Sequence, residues 1–152
     1  MTEIDGLVDQ LNRTYFADAW HGSSIKEVLS DITAAKAAAK PLGSAHSIWE
    51  LVLHIAAWES AVWRRTNEDP ANLTDKEDWP AVSDNSEAAW ARTLESLEAG
   101  HNRLVDRVKT LSKSDLDKNA AGQSYSIRFM LQGVIHHDLY HLGQIALLKK
   151  AA

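Results

Sequence analysis

The chain contains no cysteine among its 152 residues. Disulfides, Cys-ligated zinc, iron–sulfur clusters and a thiol nucleophile of the protein itself are thereby excluded. Proline is scarce too, with only Pro41, Pro70 and Pro80. Few breakers and abundant alanine favour helix. No stretch approaches about 18 uninterrupted apolar residues, so no membrane span is expected. Met1-Thr2-Glu3-Ile4-Asp5 is an acidic opening without an apolar run, unlike a signal peptide. A cytoplasmic location is the expectation. There is no excess of cations either: 16 basic residues against 21 acidic give a formal net charge of −5. That argues against a nucleic-acid partner bound over a broad basic surface. The length predicts a single domain, residues 1–152, large enough to bury a core without staples.

What is present is helical periodicity. Ile4, Leu7, Val8, Leu11 and Tyr15 recur by threes and fours and predict a helix over 3–17. Ser24 with Glu27 reads as a capping box that opens a helical piece over 24–39, either continuing the first helix with a bend or separate from it. Ser47 with Glu50 is a second capping box, and Ile48, Leu51, Val52, Ile55, Trp58 and Val62 stripe a helix to about residue 66. From 67 to 85 the periodicity vanishes, which predicts a long loop. Asn85 or Ser86 then caps a helix to about 111, with Trp90, Leu94, Leu97, His101, Leu104 and Val108 on its seam. Residues 112–124 read as a polar connection with one helical turn near 114–118. A last helix spans 126–149, with Met130, Val134, His137, His141, Ile145 and Leu148 on one face. Four amphipathic helical regions and no strand pattern predict an all-α four-helix bundle.

Chemistry concentrates in His136-His137-Asp138-Leu139-Tyr140-His141. His137 and His141 stand one helical turn apart on one face, with about 5–6 Å between Cβ atoms, so both imidazoles can reach one metal ion. His136 is rotated about 100° away and faces elsewhere. A lone histidine on an apolar seam is usually a hydrogen-bonded core residue, and His101 is read that way. Two in register are harder to bury without a shared partner. His54, at the edge of its helix's stripe, is the candidate third ligand. His21, His46 and His136 read as surface or local hydrogen-bonding residues, and the tryptophans as core or site wall. His137-Asp138-x-x-His141 also matches the His-Glu-x-x-His zinc-protease pattern with Asp for Glu. Asp138 is therefore a candidate catalytic base. It is one methylene shorter than the motif's Glu, so a residue that orients a ligand histidine, or a surface charge, is the stronger reading.

Taken together, Trp20-His21-Gly22-x-Ser24, Ser47-Ile48-Trp49-Glu50-Leu51-x-x-His54-Ile55-x-x-Trp58-Glu59 and His137-Asp138-Leu139-Tyr140-His141-x-Gly143-Gln144-Ile145 resemble the DinB-like (YfiT-type) superfamily. The resemblance implies an up-down-down-up four-helix bundle, in keeping with the long middle loop. It implies a divalent metal, nickel or zinc, on His54, His137 and His141. Members are similar to S-transferases that use a low-molecular-weight thiol such as bacillithiol or mycothiol, and to metal-dependent hydrolases. The chain is therefore expected to add such a thiol to a small-molecule electrophile. The alternatives are a hydrolase using water, assisted by Asp138 or Glu59, and a stress-related bundle that binds metal or ligand without turnover. A homodimer is the family-level expectation.

Overall fold

The computed structural model describes residues 1–152. Eight helices and no strands make up the chain. Four are long: α1 (Glu3–Tyr15), α4 (Ile48–Thr66), α6 (Glu87–Lys109) and α8 (Ile127–Ala151). Four are short: α2 (Ile25–Leu29), α3 (Ala34–Ala38), α5 (Asp75–Asp78) and α7 (Lys113–Leu116). No helix is long and apolar enough to cross a membrane.

Local signals start these elements. The Ser24–Glu27 and Ser47–Glu50 boxes both form, each serine accepting from the N3 amide while the glutamate accepts from the cap amide. Ser86, not Asn85, caps α6, accepting from the Ala89 amide. The piece expected over 24–39 is neither a continuation of α1 nor one helix. It breaks after Leu29, because Thr33 starts a new helix by accepting from the Lys36 amide. The expected loop also holds a turn of helix, α5, opened by another capping box, Thr74 with Glu77.

The long helices pack in a ring: α4 against α6 and α8, and α1 against α6 and α8. Contacts between α4 and α6 advance along both helices together. Trp49 Nε1 donates to Thr93 Oγ1 near the start, Glu59 meets His101 in the middle, and Arg107 donates to the Thr66 carbonyl at the end. Between α4 and α8 the order is reversed, His54 meeting His137 while Arg65 meets Tyr125 just before α8 begins.

The apolar core is divided. One cluster gathers Ile48, Trp49, Val52, Ile55, Trp90, Leu97, Ile145 and Leu148 with the α2–α3 segment. The other gathers Leu7, Leu11, Val62, Leu104, Val108, Met130, Leu131 and Val134. The change from one to the other occurs at a buried polar residue on each of three helices: His54 and Glu59 on α4, His101 on α6, Asp138 and His141 on α8. A polar layer thus crosses the middle of the molecule, held between two apolar blocks. Each fully buried large apolar side chain there contributes about 1.5–3 kcal/mol, which fixes the helices that carry the layer.

One backbone position ties the loops to this frame. Gly122 has φ +69°, and a Cβ there would lie 2.5 Å from Pro70 Cβ. Both the left-handed conformation and the contact require glycine. Gly122→Ala is expected to destabilise the fold by about 1–3 kcal/mol, read as a lower urea midpoint. An unchanged midpoint would show that the Pro70 contact yields freely.

Candidate metal centre

Three imidazoles meet where α4 and α8 face each other. The ligand atoms of His54, His137 and His141 all lie within 4.8 Å of one another. His54 Nε2 and His137 Nε2 are 3.0 Å apart. The ring centroids are separated by 4.9 Å (His54–His137), 4.6 Å (His54–His141) and 4.5 Å (His137–His141). His54 and His141 are buried and His137 is half-buried, so the cluster opens to solvent on the His137 side. The sequence's candidate trio is therefore brought together. His136 is exposed on another face, His21 is exposed, and His101 lies in a different cluster.

The rest of each ring is tied down. His54 Nδ1 is 2.7 Å from the Asp78 carbonyl oxygen and 3.0 Å from Asp78 Oδ1. His141 Nδ1 is 2.6 Å from Gln144 Oε1. With oxygen acceptors at Nδ1, both rings are set to donate there and to offer Nε2 as the ligand atom. Acceptors of this kind fix the tautomer and ring orientation of metal-ligating histidines. The donor set therefore fits a divalent cation that prefers nitrogen: three imidazoles, two held by oxygen acceptors, converging from two rigid helices.

The electrostatics agree. Desolvation, followed by the neighbouring His141 and His54, pushes His137 down from 6.5 to about 4. Desolvation likewise lowers His141, partly opposed by its bond to Gln144. Crowded imidazoles resist protonation and keep the lone pairs that a metal needs.

The segment between α4 and α6 supplies a wall of this site that the periodicity did not reveal. Asp78 Oδ1 also accepts from Trp58 Nε1 at 2.7 Å, so a single carboxylate orients both His54 and Trp58. Trp79 lies flat on His54, with centroids 3.8 Å apart and planes 5° off parallel, and His46 stacks on its other face at 3.6 Å. His46 is thus one layer of a stack ending at the cluster, although its ring is largely exposed.

Asp138 is not a surface charge; it lies buried beside the cluster, next to His137. It is 1% exposed, and its Oδ1 is a distant 3.5 Å from His137 Nδ1. Desolvation raises its pKa well above 3.8, and the Glu59 carboxylate raises it further, by its charge and by accepting a hydrogen bond from the protonated form. Glu59 Oε1 is 2.7 Å from His101 Nδ1, and Glu59 Oε2 has no other partner. Asp138 faces the Glu59 carboxylate, so a proton on Asp138 gives that carboxylate a further donor. His101 is a buried core residue as expected, stacked on Tyr15 at 4.4 Å, but its Nε2 is left without a partner. Asp138, Glu59 and His101 thus form a chain behind the histidine cluster that links α8, α4 and α6.

No curated protein and no solved structure matches the chain at a significant level. A family profile described as the DinB superfamily matches residues 17–145, a span that includes all three clustered histidines and Asp138. With most of its length covered by that match, the chain belongs to the DinB superfamily.

Proposed function

We propose that residues 1–152 act as one domain, an up-down-down-up four-helix bundle that holds nickel or zinc on His54, His137 and His141 and adds a low-molecular-weight thiol to a small electrophile. The topology is supported by contacts that run in the same direction between α4 and α6 and in opposite directions between α4 and α8. The observation that carries the functional reading is the convergence of three imidazoles within 4.8 Å, two with their outer nitrogen held by oxygen. Three neutral protein ligands leave a bound cation its full charge, and it would supply Lewis acidity toward a thiol or a water molecule. The chain has no cysteine, so a thiol must arrive as a cosubstrate of the bacillithiol or mycothiol kind. Its own residues provide the frame. Asp78 and Gln144 orient the rings, Trp58 and Trp79 wall the site, and the protonated Asp138 with Glu59 holds α8 against α4. A homodimer suits the exposed Phe129, Tyr140 and Leu147 on α8.

The test is an assay of the nickel- or zinc-loaded protein with a model electrophile, with and without bacillithiol or mycothiol. Loss of the electrophile is expected to need both metal and thiol, with a rate at least about tenfold above metal-free protein, about 1.4 kcal/mol of barrier. Cleavage of a model ester without thiol would replace this reading with a hydrolase. No turnover in either assay would leave a metal-binding protein without catalysis.

A further inference from the structure

The groove that runs from the histidine cluster along α4 and α8 ends at a buried cation without a counter-charge. Trp58, Val62, Phe129, Met130, Val134 and His137 line most of it, and it encloses about 270 Å³. The walls are almost entirely apolar. Arg65 also lines it, and that side chain is 6% exposed. Its Nε donates to the Ala71 carbonyl at 2.9 Å and its Nη1 to Tyr125 Oη at 2.8 Å. Both acceptors are neutral, and Nη2 has no protein partner. No carboxylate lies within ion-pairing distance, although Arg64 next to it is paired with Asp69. The guanidinium also lies over the Trp58 ring, 5.5 Å from its centroid.

A buried guanidinium cannot discharge itself by losing its proton. Buried charges are costly unless paired, and the two hydrogen bonds here offset only part of that cost. Arginine's planar fork suits a carboxylate, and two of its donors are already used to aim it. Arg65 stands 11 residues after His54 (65 − 54), or about 16 Å along the helix axis. His137 and Arg65 therefore stand at opposite ends of one apolar slot.

We propose that this slot binds the electrophilic substrate as a small apolar carboxylate, with the acid on Arg65, the hydrocarbon body against Trp58, Val62 and Met130, and the reacting end at His137. The apolar walls favour a hydrocarbon body over a sugar or a peptide. The thiol is thereby assigned to the other side of the cluster, where a cleft of about 480 Å³ is lined by His46, Trp79, Tyr140, His141 and Gln144. The proposal names the substrate class for the reading above and rests on it for the direction of the ligand.

The test uses metal-free protein, so that it does not depend on metal uptake. Calorimetric titration compares 4-phenylbutyrate with its neutral amide, 4-phenylbutanamide. The acid is expected to bind at least tenfold more tightly. Arg65→Met is expected to abolish that preference, and His54→Ala to leave it intact. Gly133 also lines the slot, and a Cβ placed on it meets nothing within 4 Å. Gly133→Leu therefore projects a side chain into the slot from α8, and both ligands are expected to weaken at least tenfold. That variant decides the matter if Arg65→Met does not fold. Equal affinity for acid and amide, no binding of either, a preference that survives Arg65→Met, or undiminished binding in Gly133→Leu would each overturn the proposal. Loss of the acid in His54→Ala would also overturn it, by placing the carboxylate at the histidines. Failure of metal binding would undo the functional reading and leave these titrations as they are.

Discussion

Glu59→Ala is expected to cost about 3–5 kcal/mol, the largest loss among changes outside the apolar core. The substitution removes the acceptor of His101 Nδ1 and, with it, the acceptor of the proton on Asp138. Both orphaned groups are 1% exposed, so water cannot replace what is lost. Asp138→Asn makes the informative contrast. Its amide can donate to Glu59 as the protonated carboxyl does, so it should cost less than about 1 kcal/mol. Urea unfolding of the two variants checks the pair. A loss in Asp138→Asn as large as in Glu59→Ala would mean that Asp138 is ionised. The pH dependence has a definite sign. Asp138 holds its proton in the fold and releases it unfolded above about 3.8, so its contribution to stability is present below that pH and declines as pH rises. Asp138→Asn should remove that decline. His137 acts oppositely. Its pKa is depressed from 6.5 to about 4, so its contribution is full above 6.5 and falls as pH drops through that window.

Metal-dependent stabilisation is the second large effect. An ion that binds only the folded chain adds about 2.7 kcal/mol at one hundred times Kd, roughly 5–10 °C in Tm for a chain of this size. His54→Ala, His137→Ala and His141→Ala should each lose most of that gain. His136→Ala should keep it, because that side chain is exposed on another face. His101→Ala should lower Tm with and without metal by leaving Glu59 Oε1 unpaired, yet retain the gain. Thermal melts of the five variants with and without Zn²⁺ or Ni²⁺ make the comparison. Free imidazole near pH 6.5 would place the loss of affinity below about pH 6. The lowered pKa values of His137 and His141 move their share of that loss further down, for His137 toward pH 4. A gain that disappears already at pH 6 would contradict the crowding of the three rings.

Much of the histidine cluster was legible in the sequence because its members follow helical spacing. His137 and His141 are four apart on one helix, and His54 sits at the edge of the stripe of another. Gln144 follows His141 by three, on the same face, so its bond to His141 Nδ1 was open to the same argument. Asp78 and Trp79 were not legible as site residues. They lie in the 67–85 segment, whose path depends on contacts between distant residues and not on a local period. One local signal was there: Thr74 with Glu77 repeats the capping box that marks α2 and α4. Asp138 shows a different limit. Its place in the motif suggests an ionised base beside a metal, but its position on α8 turns it toward Glu59. Burial there decides its protonation, and that depends on how α4, α6 and α8 pack. The break between α2 and α3 has the same origin as the correct caps, since Thr33 competes locally with a pattern that otherwise continues.

The central claim is that His54, His137 and His141 form one inter-helix metal site. Elemental analysis of protein purified without a metal-affinity tag, wild type beside His54→Ala, tests it most directly. About one nickel or zinc per chain is expected in the wild type, and a nearly metal-free His54→Ala that still folds. Equal metal content in the two proteins would contradict it, because binding would then need only the pair on α8 or a site elsewhere.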